Sequence, residues 1–143
     1  MWKAPILFVL ENNQIAQTTG IERSIAGEIT ARFNAFDIPS RQLDTSDVHD
    51  ILPVANELIS SVRNDLSPFA LILKTHRFGP HSKGDDTRDP QMVNQLWQMY
   101  DPVQIHGNRI DAQEKYMIET DVDKEIQSAF ENALNDPFPE RID

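Results

Sequence analysis

The chain has no cysteine among its 143 residues, so it holds no disulfide, no thiolate metal ligand and no thiol nucleophile. Glycine is scarce, five in all, and none sits in a G-x-S-x-G elbow, so the local signature of a serine hydrolase is missing. Basic residues are few: 13 Lys and Arg stand against 23 Asp and Glu, for a formal charge of −10 and a pI near 4.7. Duplex DNA and anionic membranes both demand a dense basic footprint, so neither nucleic acid nor a membrane is an expected partner. No apolar run approaches the roughly 18 residues of a membrane-spanning helix. The opening Met1 to Asn13 carries one lysine and a short apolar stretch without a small-residue cleavage site. No secretory signal is expected there, and a cytoplasmic placement fits.

The length suits one domain, and 39% hydrophobic with 25% charged residues is ordinary for a globular chain. The acidity is uneven. Residues 1–110 hold 13 acids and 10 bases, a balance of −3, whereas residues 111–143 hold 10 acids and 3 bases, a balance of −7.

Periodicity sets out the elements. Pro5 to Leu10 is a continuous apolar run of the kind that forms a central parallel strand, covered on both faces. Ile25, Ile29 and Phe33 recur at helical spacing within a helix expected over 22–36. Ile38 to Leu43 reads as extended. Ser46 or Asp47 then caps a helix over 48–62, in which Pro53 is awkward beyond the first turns. Phe69 to Leu73 is the strongest strand. Strand–helix–strand–helix–strand implies a parallel sheet with right-handed crossovers. Three strands make half of a doubly wound domain, and exposed sheet edges predict self-association or weak stability in isolation. After Phe78 comes a loop without large apolar side chains, Gly79 to Pro90, then helices expected from Gln91, over 103–110 and over 122–134. The expected organisation is an α/β region over 1–90, including that loop, and a helical C-terminal extension over 91–143.

Three stretches fall beyond the carboxyl ends of the strands, where parallel sheets place their ligands. They are Glu11 to Ala16, Asp44 to Asp47, and Thr75 to Ser82. Asn12-Asn13 suits either a tight turn or the oxygen ligation of a hard divalent cation such as Mg²⁺. His76, Arg77, His81, Lys83 and Arg88 gather positive or titratable groups on the third stretch. These could clamp phosphate oxygens, or form an ordinary solvated loop in which Asp85, Asp86 and Asp89 balance the bases. His49 and His106 read as structural or surface residues.

The run APILFVLENNQIAQTT, then IERS, LDTSDV, PFALILKTHRFGPHSKGDD and the closing AFENALNDPFPE together resemble the alpha subunit of thiamine-diphosphate-dependent 2-oxo acid dehydrogenases. That subunit belongs to the decarboxylating first component of the pyruvate, branched-chain and acetoin complexes. RFGPHS followed by GDD carries most of the specificity, and the resemblance runs over essentially the whole chain. It implies thiamine diphosphate and Mg²⁺ as cofactors. Asn13 matches the family's Mg²⁺ ligand, and Ile15 a position whose backbone carbonyl also binds the metal. His81 matches the histidine beside the cofactor diphosphate and active centre, and Ser82 the serine that kinases modify in some eukaryotic relatives. The implied partners are a beta subunit, which carries the glutamate that activates the cofactor, and a lipoyl-bearing acyltransferase component, in an assembly of several subunits.

Three departures from the family pattern bear on function, one of them the arginine-rich end of the phosphate loop, shortened here to Thr87-Arg88-Asp89. The family motif begins with GDG, whose aspartate is the other protein ligand to Mg²⁺, and Met1 lies too close to Asn12-Asn13 for that half to precede it here. The strand usually written VDG-x-D reads Leu43-Asp44-Thr45-Ser46-Asp47. The expectation is therefore the C-terminal half of an alpha subunit, partnered by an upstream GDG-bearing half and inactive alone. The competing expectation is a degenerate or standalone half-domain that serves as a non-catalytic assembly module.

Overall fold

A computed structural model describes residues 2–139. It divides into a compact unit up to His106 and a second from Gly107 onward. In the first unit the order is β1 (Leu7–Asn12), α1 (Ile21–Ser24), α2 (Ile29–Asn34), β2 (Ser40–Leu43), α3 (Val48–Asp65), β3 (Phe69–Lys74) and α4 (Pro90–Tyr100), with α5 (Pro102–Gly107) at the boundary. The second unit is built on α6 (Ala112–Asn135).

The three strands form one parallel sheet in the order β1-β3-β2. Leu7 pairs with Phe69 and Asn12 with Lys74 on one side of β3, and Ser40 with Ala70 on the other. The core lies where β3 meets α3: Ala70, Leu71 and Ile72 are buried, together with Leu58 and Val62. Burying each larger side chain contributes about 1.5–3 kcal/mol, so this small cluster anchors the unit. Helices cover both faces of the sheet. The Phe8 ring lies 6.2 Å from Phe33 of α2, whereas Leu7, one residue earlier and on the opposite face, shares a cavity wall with Ile59 and Val62 of α3.

The parallel α/β arrangement agrees with the expectation from periodicity, and four details correct it. First, β1 is an edge strand, and β3 takes the centre. The apolar run over 5–10 satisfies both faces of a buried strand, but the sequence carries no signal for which of two apolar strands sits between the others. Second, the single helix expected over 22–36 is two short ones. Gly27 adopts φ +72° between them, in the left-handed region that ends a helix. Third, α6 begins at Ala112, well before residue 122. Asp111 accepts hydrogen bonds from the N–H groups of Gln113 and Glu114 at 2.9 and 3.3 Å. Those caps start the helix although its first turns are mostly polar. Fourth, the helix expected over 103–110 is shorter than expected, ending at Gly107.

Of the two candidate caps for α3, Asp47 takes the role, accepting from the His49 N–H at 2.9 Å. Asp89 caps α4 in the same way through Gln91. Pro53 lies in the second turn of α3. It has no N–H to offer the His49 carbonyl, and the helix continues past it because its inner face packs on β3.

Candidate functional site

Because all three strands run the same way, their carboxyl ends open onto one edge of the sheet, and the three stretches that follow the strands meet there. The loop after β1 is a chain of side-chain-stabilised turns. Asn12 Oδ1 accepts from the Gln14 N–H at 3.1 Å, and Asn13 Oδ1 from the Ile15 N–H at 3.1 Å. Gln14 sits at φ +62°. Its carbonyl accepts from Ile21, Ala16 N–H donates to Thr19, and Ile15 bridges to Gly20. The asparagine pair thus makes the turn in both of its members. The turn reading holds for the geometry, and each amide oxygen keeps one lone pair.

The loop after β3 is a built structure. Arg77 donates to three main-chain carbonyls: Gly79 through Nε, Ala16 through Nη1 and Gln17 through Nη2, each at 3.1 Å. One guanidinium therefore ties the third loop to the first. Arg88 donates to the Arg77 carbonyl at 2.6 Å and to the Gly79 carbonyl at 3.0 Å, and its other contacts grip Asp86 at 2.9 and 2.7 Å. Hydrogen bonds from Arg88 hold the Asp86 carboxyl down at about 2. Both forks are engaged from within the chain, at three carbonyls for Arg77 and at two carbonyls and the Asp86 carboxylate for Arg88. The loop is not an ordinary solvated one: Arg77, Asp85, Asp86, Arg88 and Asp89 each meet a main-chain group, and Lys83 stands exposed. The second loop joins through Lys74, whose ammonium lies 2.7 Å from Asp44.

His81 stands on the exposed rim of this structure, its side chain 55% accessible. Its Nδ1 lies 2.8 Å from the Ser82 hydroxyl and 3.5 Å from Asp85 Oδ2. The Asp85 carboxyl is mostly enclosed and held below the usual carboxylate range, chiefly by the Ser82 N–H at 2.9 Å, with the charges of His81 and Arg77 adding to it. The imidazole is thus oriented by a hydroxyl and faced by an anion while its other nitrogen remains on the open side. That arrangement can hold a proton or steady a developing negative charge.

His76 turns inward instead. Its ring stacks on Tyr100 with centroids 4.0 Å apart, at a cavity of about 250 Å³ that Ser46, Thr75, Phe78 and Pro102 also border. Burial, then the Lys74 charge, push its imidazole below the ordinary value of 6.5. His49 and His106 stack on each other, centroids 5.5 Å apart, on the exposed side of the unit.

The Mg²⁺ and thiamine diphosphate implied by the resemblance can be tested against these donors. A Mg²⁺ ion takes about six oxygens in octahedral array, with carboxylates among its usual protein ligands. Here Asn13 offers one lone pair of its side-chain oxygen, and Ile15 a backbone carbonyl. No group of three or more His, Asp or Glu converges on a point among the described residues. This donor set does not fit a metal site by itself.

The three-stranded parallel sheet, with the loops after its strands gathered at their carboxyl ends, defines a class: a parallel α/β unit. The dehydrogenase E1 component family matches residues 1–142, and the chain belongs to it. Among its relatives, the pyruvate dehydrogenase E1 component subunit alpha of Zymomonas mobilis is 28% identical, covering 97% of this chain and 42% of that one. The corresponding subunit of Porphyra purpurea is 30% identical over 97% and 43%. The human somatic mitochondrial form is 26% identical over 97% and 38%. The chain spans less than half the length of the relatives it matches.

Proposed function

We propose that the chain is part of the alpha subunit of a thiamine-diphosphate-dependent 2-oxo acid dehydrogenase. Its role is to supply one side of a Mg²⁺–thiamine diphosphate site for oxidative decarboxylation of a 2-oxo acid and transfer of the acyl group to a lipoyl carrier. Family membership and the names of the relatives support the class of activity. The single observation that supports the assignment to this edge is the Arg77 staple, which ties Ala16 and Gln17, just after the Asn12-Asn13 turn, to the loop that carries His81.

In this reading Asn13 and the Ile15 carbonyl face the metal, and His81 lies beside the diphosphate and reacting centre as the catalytic group contributed by this chain. Their side of the site is incomplete, so the acidic metal ligand comes from an upstream GDG-bearing half of the alpha subunit. A beta subunit and a lipoyl-bearing acyltransferase component are the further partners, in a cytoplasmic oligomer. The chain alone completes no step of the reaction.

Calorimetric titration of Mg²⁺–thiamine diphosphate tests the reading. Negligible heat is expected with the chain alone. Saturable binding is expected once the GDG-bearing half and a beta subunit are present, and it should be lost on Asn13→Ala or His81→Ala. Full-strength binding by the chain alone, or none in the mixture, would refute it. The incomplete donor set also favours a second reading, an assembly module without cofactor, for which the mixture would form and bind nothing.

A further inference from the structure

Of the four histidines in the chain, His76 and His81 belong to the loop after β3. The other two take no part in the site described above. His49 lies in the first turn of α3 and His106 in the last turn of α5. Both residues are exposed, and their rings lie with centroids 5.5 Å apart and planes 22° from parallel. Only the fold brings them together, since they are far apart in sequence. Stacking accounts for the contact but not for the residue type, because a phenyl ring stacks as well.

Imidazole nitrogen suits the late first-row divalent ions, whereas Mg²⁺ prefers oxygen. In a tetrahedral zinc site each Zn–N bond is about 2.0–2.1 Å, which sets the ion about 3.2 Å from each ring centre and two such centres about 5.2 Å apart. The observed 5.5 Å nearly matches that separation. Rotation of an exposed ring about its Cβ–Cγ bond, a soft torsion, turns a nitrogen of each toward one point without moving either helix. The backbone beneath both rings is anchored. The His49 N–H donates to Asp47 Oδ1 at 2.9 Å, and α5 starts where the Val103 N–H donates to Asp101 Oδ1 at 2.9 Å. Asp50, beside His49, adds negative charge, its Oδ2 accepting from the Thr45 hydroxyl at 3.0 Å. No third His, Asp or Glu joins the pair among the described residues, so water completes the coordination, and the exposure of both rings gives the ion its entry path.

We propose that His49 and His106 form a two-imidazole site for a zinc-type divalent ion, which fastens α5 to α3. The site differs from the proposed cofactor site in its residues and in its chemistry: it takes nitrogen ligands and passes over Mg²⁺, whereas Asn13 and the Ile15 carbonyl offer oxygen. It therefore stands or falls independently of the function proposed above. Two protein ligands, against the four of a closed structural zinc site, make the ion exchangeable and its occupancy dependent on free metal. The link closes a stretch that contains β3, the His81 loop and α4, and a metal clip across a long stretch restrains the unfolded chain. An ion held by the folded chain alone raises its stability as free metal rises.

Titration of Zn²⁺ into the full chain, followed by calorimetry and by the imidazole signals in proton–nitrogen NMR spectra, tests the proposal. One equivalent should bind, with the His49 and His106 signals shifting together and those of His76 and His81 unmoved. Mg²⁺ at the same concentration should shift none of them, and a chelator should reverse the effect of Zn²⁺. His49→Phe and His106→Phe each keep a ring in the stack and remove one ligand. Either should weaken Zn²⁺ binding at least about tenfold, the scale on which metal sites respond to losing a supporting group. Saturating Zn²⁺ should raise the melting temperature of the unaltered chain and of His81→Ala equally, and leave both phenylalanine variants where they were. The proposal is overturned if the His49 and His106 signals stay in place or only one of them shifts. It is overturned equally if binding survives both phenylalanine substitutions, or if His81→Ala abolishes it.

Discussion

Arg88 reaches back eleven residues to donate to the main-chain carbonyl of Arg77 at 2.6 Å, and Arg77 in turn commits its guanidinium to carbonyls of the loop after β1. The two arginines act in series: one shapes the histidine-bearing loop, and the other fixes it to its neighbour. Such charge-assisted bonds to carbonyls are stronger than neutral ones and geometrically selective. They explain how a long loop without regular structure holds His81 in place.

Arg88→Lys tests this directly. A lysine keeps the charge but cannot grip Asp86 with two nitrogens while also meeting two carbonyls. Loss of about 1.5–3 kcal/mol is expected from these charge-assisted bonds, read as a lower melting temperature. Amide exchange should accelerate over 77–89 and leave β3 unchanged. Arg77→Lys should loosen 14–20 as well.

Asn12 and Asn13 make the same turn contact yet differ in proposed role. In the assembled subunit, Asn13→Ala should weaken Mg²⁺–thiamine diphosphate binding by roughly tenfold or more, the scale seen when a metal site loses a supporting group. Asn12→Ala should lower stability and leave cofactor affinity near its original value. Equal losses in a calorimetric titration would show that the turn alone matters.

His76 makes the first unit sensitive to mild acid. Its imidazole is held below 6.5 by burial and by Lys74, with Asp44 opposing them. The folded state therefore favours the neutral ring. The stability this contributes is present above pH 6.5 and is lost as pH falls from there through the lower folded-state value. Melting temperature should decline over that window, and His76→Phe, which keeps the stack on Tyr100, should flatten the decline. Asp86 acts lower. Its carboxyl is held at about 2, so its contribution is present above the ordinary 3.8 and disappears between there and about 2.

Gly27 and Leu71 mark two kinds of cost. Gly27 stands at φ +72° with open space where an added methyl would lie, so Gly27→Ala should cost about 1–2 kcal/mol from backbone strain alone. Leu71→Ala opens a cavity in the buried centre of β3 and should cost about 2–5 kcal/mol. Urea unfolding of both variants checks the ranking.

Local rules suffice where the partner of each group lies close in sequence. The strand at Phe69 to Leu73, the Asp47 cap and the turn at Asn12-Asn13 all depend on neighbours within a few residues. The start of α6 is legible too, in Asp111 followed by Glu114, a pairing that resembles a capping box, although the polar turns after it mask the helical period. The roles of Arg77 and Arg88 leave no such trace. Their acceptors are main-chain carbonyls, some as many as 61 residues away, and a carbonyl belongs to every residue type.

Residue order alone specifies the chemistry available: the acidic balance, the absence of thiols, the apolar runs that become strands, and the NN and RFGPHS segments that place the chain in its family. Three-dimensional packing settles which strand lies in the middle, which arginines are consumed in holding loops, and which two histidines stack on each other. The physical reason is common to all three. Apolar pattern and residue type specify what a group needs, but only the packed sheet determines which distant group supplies it.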